Sequence, residues 1–116
     1  MLTMIPEQEL QMQAEQTLRR LRITGKLKGL WFLIHAITAT VRDPRRTELI
    51  TKDLYPEIAQ AFHTTPSRVE RSIRTAITVC WKEGRAELEE IAGGPLTKRP
   101  TNTEFIDLVA TYIRFR

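Results

Sequence analysis

With 116 residues, 41% of them hydrophobic, 28% charged and a net charge of +4, the chain reads as one domain mildly suited to a polyanionic partner. No apolar run approaches the roughly 18 residues of a membrane span, and the acidic N-terminus is unlike a secretory signal, so no membrane partner and a cytoplasmic location are expected. One cysteine (Cys80) and two histidines (His35, His63) form neither an internal disulfide nor a familiar metal-ligand spacing, and no phosphate-binding glycine loop or nucleophile motif occurs, so no metal, cofactor or enzymatic activity is expected.

From Glu7 to Leu21 the chain is free of Gly and Pro, and Leu10, Ala14, Thr17, Leu18 and Leu21 share one side of a first helix. Glu7, Glu9 and Glu15 precede Arg19, Arg20 and Arg22, an order that suits the helix dipole. The basic cluster continues through Lys26 and Lys28 with no acidic residue between, which allows a phosphate contact beside plain solvation. Thr24-Gly25 ends this helix. Leu27 to Val41 forms a second one whose Leu30, Trp31, Phe32, Leu33, Ile34, Ala36 and Ile37 are apolar almost all round, the pattern of a helix in mid-core. Trp31 and Trp81 are both expected to be largely buried. Asp43-Pro44 closes the second helix, Arg45 and Arg46 read as loop charges, and Thr51 is a candidate cap for the third helix.

Leu54 to Trp81 reads as two helices joined by a very short linker, His63-Thr64-Thr65. Leu54, Ile58, Ala59 and Phe62 make the apolar stripe of the first, with Pro56 tolerable in its opening turn. In the second, Val69, Ile73, Ala76, Ile77, Cys80 and Trp81 share one face, opposite Ser67, Arg68, Arg71, Arg74, Thr75 and Thr78. Thr65 with Pro66 at the first helical position can open it, and Ser67 with Glu70 also fits a capping box. This is the sequence picture of a helix-turn-helix over about residues 51–82, with a recognition helix at about 66–82. The usual turn glycine is missing, and His63 stands near its place. A plain helical hairpin with a solvated charged face has similar spacing.

Beyond Trp81, Gly84 interrupts the long helix, and Glu83, Glu87, Glu89 and Glu90 form an acidic patch on a short one. Gly93-Gly94-Pro95 is a break, and a basic loop leads to Thr101 or Asn102 as cap, with Glu104 after it. Phe105, Ile106, Val109, Ala110 and Ile113 then stripe the last helix. No strand-like alternation occurs, so the fold class is all-α: a compact bundle of about six helices, one domain over residues 1–116, containing a helix-turn-helix.

The run Leu54-Tyr55-Pro56, Ile58-Ala59, Phe62, Thr64-Thr65, Ser67-Arg68-Val69-Glu70-Arg71, Ile73-Arg74, Ala76-Ile77 and Trp81, with Pro100-Thr101-Asn102 and Glu104-Phe105-Ile106, closely resembles the C-terminal DNA-binding effector domain of the sporulation-initiation response regulator of endospore-forming bacteria. Weaker matches extend the resemblance from about Ala14 nearly to the end. It implies a six-helix transcription regulator whose recognition helix enters the major groove of a short promoter element. Glu70, Arg71 and Arg74 match the base-reading positions, in keeping with arginine's fit to guanine and glutamate's to cytosine. Ser67, Arg68, Thr75, Lys98, Arg99 and Thr101 would be DNA backbone contacts. The resemblance also implies double-stranded DNA as partner, an RNA polymerase sigma factor as a second, and a homodimer on tandem sites. Two departures stand out: the 116 residues leave no room for a receiver domain, and the segment after Trp81 is shorter and richer in glutamate than in the family. The competing expectation is a helical protein-interaction module that binds a regulator or polymerase subunit without reading DNA.

Overall fold

The computed structural model describes residues 5–116, and in it the apolar stripes close around one helix. That helix, α2 (Gly29–Arg42), packs against α1 (Glu7–Arg20), α4 (Pro66–Glu83) and α6 (Asn102–Arg114). α3 (Tyr55–Ala61) lies against α4, and α5 (Arg85–Ala92) against α4 and α6. The described residues contain six α-helices and no strand, an all-α bundle as the periodicity indicates.

The core is what the three- and four-residue spacings predict: Leu10, Ala14 and Leu18 from α1, Val69, Ile73, Ala76, Ile77 and Cys80 from α4, and Phe105, Ile106, Val109, Ala110 and Ile113 from α6 are buried. Burial among these side chains pushes the Cys80 thiol up to about 12, because the low-dielectric surroundings disfavour the thiolate. Cys80 is therefore a packing residue, as its place on the apolar side suggests.

α2 departs from expectation on one stripe. Trp31 is 43% exposed and Trp81 is half-buried, so neither is the largely buried core aromatic that its apolar neighbourhood suggests. Trp31, Ile34 and His35 lie on a side of α2 that the core does not close over, and Arg42 at the end of the helix pairs with Glu7 of α1. Trp81 sits at the rim of α4, where the Arg85 guanidinium lies 4.0 Å over its ring. Phe62 is likewise 42% exposed, ending α3 with its ring edge-on to Phe32 at 5.2 Å.

The connection from α2 to α3 is ordered. Asp43 accepts a hydrogen bond from the Arg45 amide and opens a 3₁₀ turn over Pro44–Leu49, which runs through a wide π turn, Ile50–Leu54, directly into α3. Thr51 falls inside that π turn and caps nothing, because the chain is already helical when α3 begins. Arg46 is no loose loop charge: it donates to Asp53 and Glu57, and His35 of α2 bonds Glu57 from the other side at 2.8 Å. This relay ties α3 to α2. The hydrogen bond from His35, followed by the one from Arg46, holds the Glu57 carboxyl below the usual range.

Candidate nucleic-acid interface

α4 begins as its sequence dictates. The Thr65 hydroxyl accepts from the Arg68 amide at 3.3 Å, and Pro66 occupies the first turn, where its missing N–H costs nothing. Of the two openings that the residues allow, the Thr65 cap is the one formed. The turn before it places His63 at φ 56, the left-handed conformation that a turn glycine would otherwise take, and the Thr64 amide closes back on the Ala59 carbonyl at 2.9 Å. A tight turn without glycine is thus built with some backbone strain.

The polar face of α4 is open to solvent. Ser67, Arg68, Arg71, Arg74 and Thr75 are exposed, and Glu70 is half-buried with its carboxylate 3.5 Å from Arg74 one turn on. Ser67, Glu70, Arg71 and Arg74 line one shallow cleft together with Thr51 and Tyr55 from the segment ahead. The three base-reading candidates therefore share one patch.

The flanking candidates divide. Lys98 is exposed and unpaired. Arg99 is half-buried and donates through Nη1 to the Thr78 hydroxyl at 2.9 Å and to the Arg74 carbonyl at 3.4 Å, so its guanidinium is tied to α4 itself. Thr101 is exposed but committed to a capping box: its hydroxyl accepts from the Glu104 amide, and the Glu104 carboxylate accepts from the Thr101 amide. That second bond holds the Glu104 carboxyl below its ordinary range.

Two residues have supporting roles that the sequence did not show: Asn102, considered there as a cap, and Gly29. The Asn102 amide donates to the Tyr55 hydroxyl at 2.9 Å and to the Glu70 carbonyl at 3.2 Å, joining the start of α6 to both helices of the hairpin. Burial pushes the Tyr55 phenol up, so it stays neutral and accepts that bond. Gly29 brings α2 against α4 so closely that a Cβ there would lie 2.5 Å from the Ser72 carbonyl oxygen.

Charge pairing sets this face apart. Arg19, Arg20 and Arg22 pair with Glu15, Glu90 and Glu87, while Arg42, Arg45, Arg46 and Arg85 also meet carboxylates. The acidic patch of α5 is largely engaged in this way. Among the described residues, Lys26, Lys28, Lys52, Arg68, Arg71, Lys82 and Lys98 make no ion pair and donate no side-chain hydrogen bond. Arg68, Arg71 and Lys82 lie on α4, Lys28 shares a cleft with Arg68, and Lys98 adjoins the Arg99 that bonds α4. Cations left free on one face provide what a polyanion binds, because they carry no partner that must first be displaced. No three-residue cluster able to hold a metal ion, and no helix long and apolar enough to cross a membrane, occurs among the described residues.

Residues 14–113 match the family described as sporulation initiation factor Spo0A, C terminal. This span takes in the hairpin, the free cations around it and the Thr101 capping box. Covering nearly the whole chain, the match shows that the protein belongs to this family, the DNA-binding, transcription-regulating effector domain of a sporulation regulator.

Proposed function

We propose that the chain is a sequence-specific, cytoplasmic transcription regulator that inserts α4 into the major groove of a short promoter element and acts there without catalysis. Arg71 and Arg74 read guanines through bidentate bonds, and Glu70 accepts from a cytosine or orients Arg74. The observation that carries this is the exposed Arg71 and Arg74, one helical turn apart on one helix, with Arg68 and Lys82 unpaired on the same helix and Lys28 and Lys98 unpaired beside it. Ser67, Arg68, Thr75, Lys98 and Thr101 position the domain on phosphates, and Arg99 does so only through the part of its guanidinium not engaged by α4.

Selection from random duplexes by the parent and by Arg71→Ala and Arg74→Ala tests this. Each variant should lose about 1–3 kcal/mol of discrimination at one base pair while its circular dichroism stays that of the parent. Unchanged preferences in both folded variants would remove α4 as the reader.

One observation favours a second role: Met12, Trp31 and Phe62 are exposed large apolar side chains, and all three line one cleft. It suits a module that docks a protein such as a polymerase sigma factor, or a second copy on tandem sites. This role would leave the duplex selection without a preferred sequence if it were the only one.

A further inference from the structure

The loop between α1 and α2 holds two positive charges that no ion pair neutralises; Glu83 shares a cleft with Lys26 but lies beyond ion-pair distance. Arg19, Arg20 and Arg22 at its near end are matched by Glu15, Glu90 and Glu87, whereas Lys26 and Lys28 are exposed and meet no carboxylate among the described residues. Their position relative to α4 is fixed by backbone packing. Gly29, next to Lys28, abuts the Ser72 carbonyl, and a Cβ at Gly29 would also fall 2.8 Å from the Ala76 Cβ. Lys28 lines a cleft with Arg68 near the start of α4, and Lys26 lines another with Val79 and Glu83 further along it. The loop thus runs beside the flank of α4 that carries Arg68 and Thr75, about a quarter turn around the helix from Arg71 and Arg74. Another flank is held by Arg99 and Asn102, with the unpaired Lys98 beside them.

A helix lying in a major groove about 12 Å wide has a phosphate strand on either side. Resting on the assignment of α4 to that groove, we infer that Lys26 and Lys28 join Arg68 in a second phosphate-binding wall, opposite the one that Lys98 serves. The domain clamps the duplex across the groove. The ligand of this wall is the phosphodiester backbone, so it adds affinity and orientation and reads no base.

The test is the double variant Lys26→Ala, Lys28→Ala. Its control is Arg45→Ala, Arg116→Ala, which removes the same number of positive charges from beyond the far end of α2 and from the C-terminus. Each is titrated with the selected duplex and with a random one over a range of salt. At about 0.9 per phosphate contact, the slope of log K against log salt should fall by about 1.8 in the lysine variant, equally for both duplexes, with the selected sequence unchanged. The control pair should keep the parent's slope. Methylphosphonates along one strand edge of the site should reproduce the loss in the parent and cost the lysine variant nothing more.

A parental slope in the lysine variant overturns the wall. So does an equal fall in the control pair, which would make the effect one of bulk charge, or a changed base preference, which would make the lysines readers. If the parent selects no sequence at all, the groove assignment falls and the wall with it. A selected sequence with an unchanged slope removes the wall alone.

Discussion

At the scale of single residues, His63 carries the strain of the hairpin, with a φ of 56 at the position where a turn glycine would be relaxed. The left-handed region costs a non-glycine residue about 1–2 kcal/mol, and glycine gives back up to about 1 kcal/mol of that through its freer unfolded chain. His63→Gly should therefore be neutral to about 1 kcal/mol stabilising in urea denaturation. A loss beyond about 0.5 kcal/mol would mean that the imidazole packs usefully against the turn. The missing glycine made His63 legible in part, and which residues of α4 face solvent was legible in full. Ser67, Arg68, Arg71, Arg74 and Thr75 project outward because the apolar residues of the same helix recur every three or four positions, a local regularity that sequence displays directly. Asn102 shows nothing of the kind, since its partners Tyr55 and Glu70 lie 47 and 32 positions away and only the finished fold brings them together.

At the scale of elements, the contact of α2 with α4 turns on one absent methyl. Gly29→Ala would press a Cβ onto the Ser72 carbonyl at 2.5 Å, and backbone cannot yield as a flexible side-chain tip can. Overpacking of this kind costs about 1–3 kcal/mol, against a helix-propensity gain of no more than about 1 kcal/mol for alanine over glycine. The net expectation is a destabilisation of about 1–2 kcal/mol by chemical denaturation. An unchanged midpoint would show that the two helices have room to part. α2 was expected in mid-core and is found there. Its exposed stripe was hidden because the apolar character of Trp31 and Ile34 says nothing about which neighbours exist to cover them. The π turn Ile50–Leu54 was also beyond periodicity, since a widened turn keeps helical composition while shifting its register.

At the scale of the whole molecule, carboxylates on several elements act as braces. Glu57 is held down by His35 and Arg46, Glu89 by the Leu96 amide and then Arg85, and Glu104 by the Thr101 amide. Each has a folded pKa below its unfolded value of about 4.3, so its contribution is complete above that value and is lost as pH falls through the folded one. Thermal stability should accordingly be insensitive to these groups above about pH 5 and decline as the pH drops below about 4. Glu57→Gln should lower the melting temperature at neutral pH and leave a shallower acid limb. Coinciding acid limbs for parent and variant would take Glu57 out of the brace.

The near-contact of Gly29 with Ser72 also bears on how DNA preference can drift in descendants of such a chain. Because α4 meets the backbone of α2 directly at Gly29, a repacked interior residue of α2 would shift the helix that carries Arg71 and Arg74 without altering either. On the proposed function, new promoter preferences are then within reach of substitutions that never approach a base, and two relatives with identical residues at Glu70, Arg71 and Arg74 need not read alike.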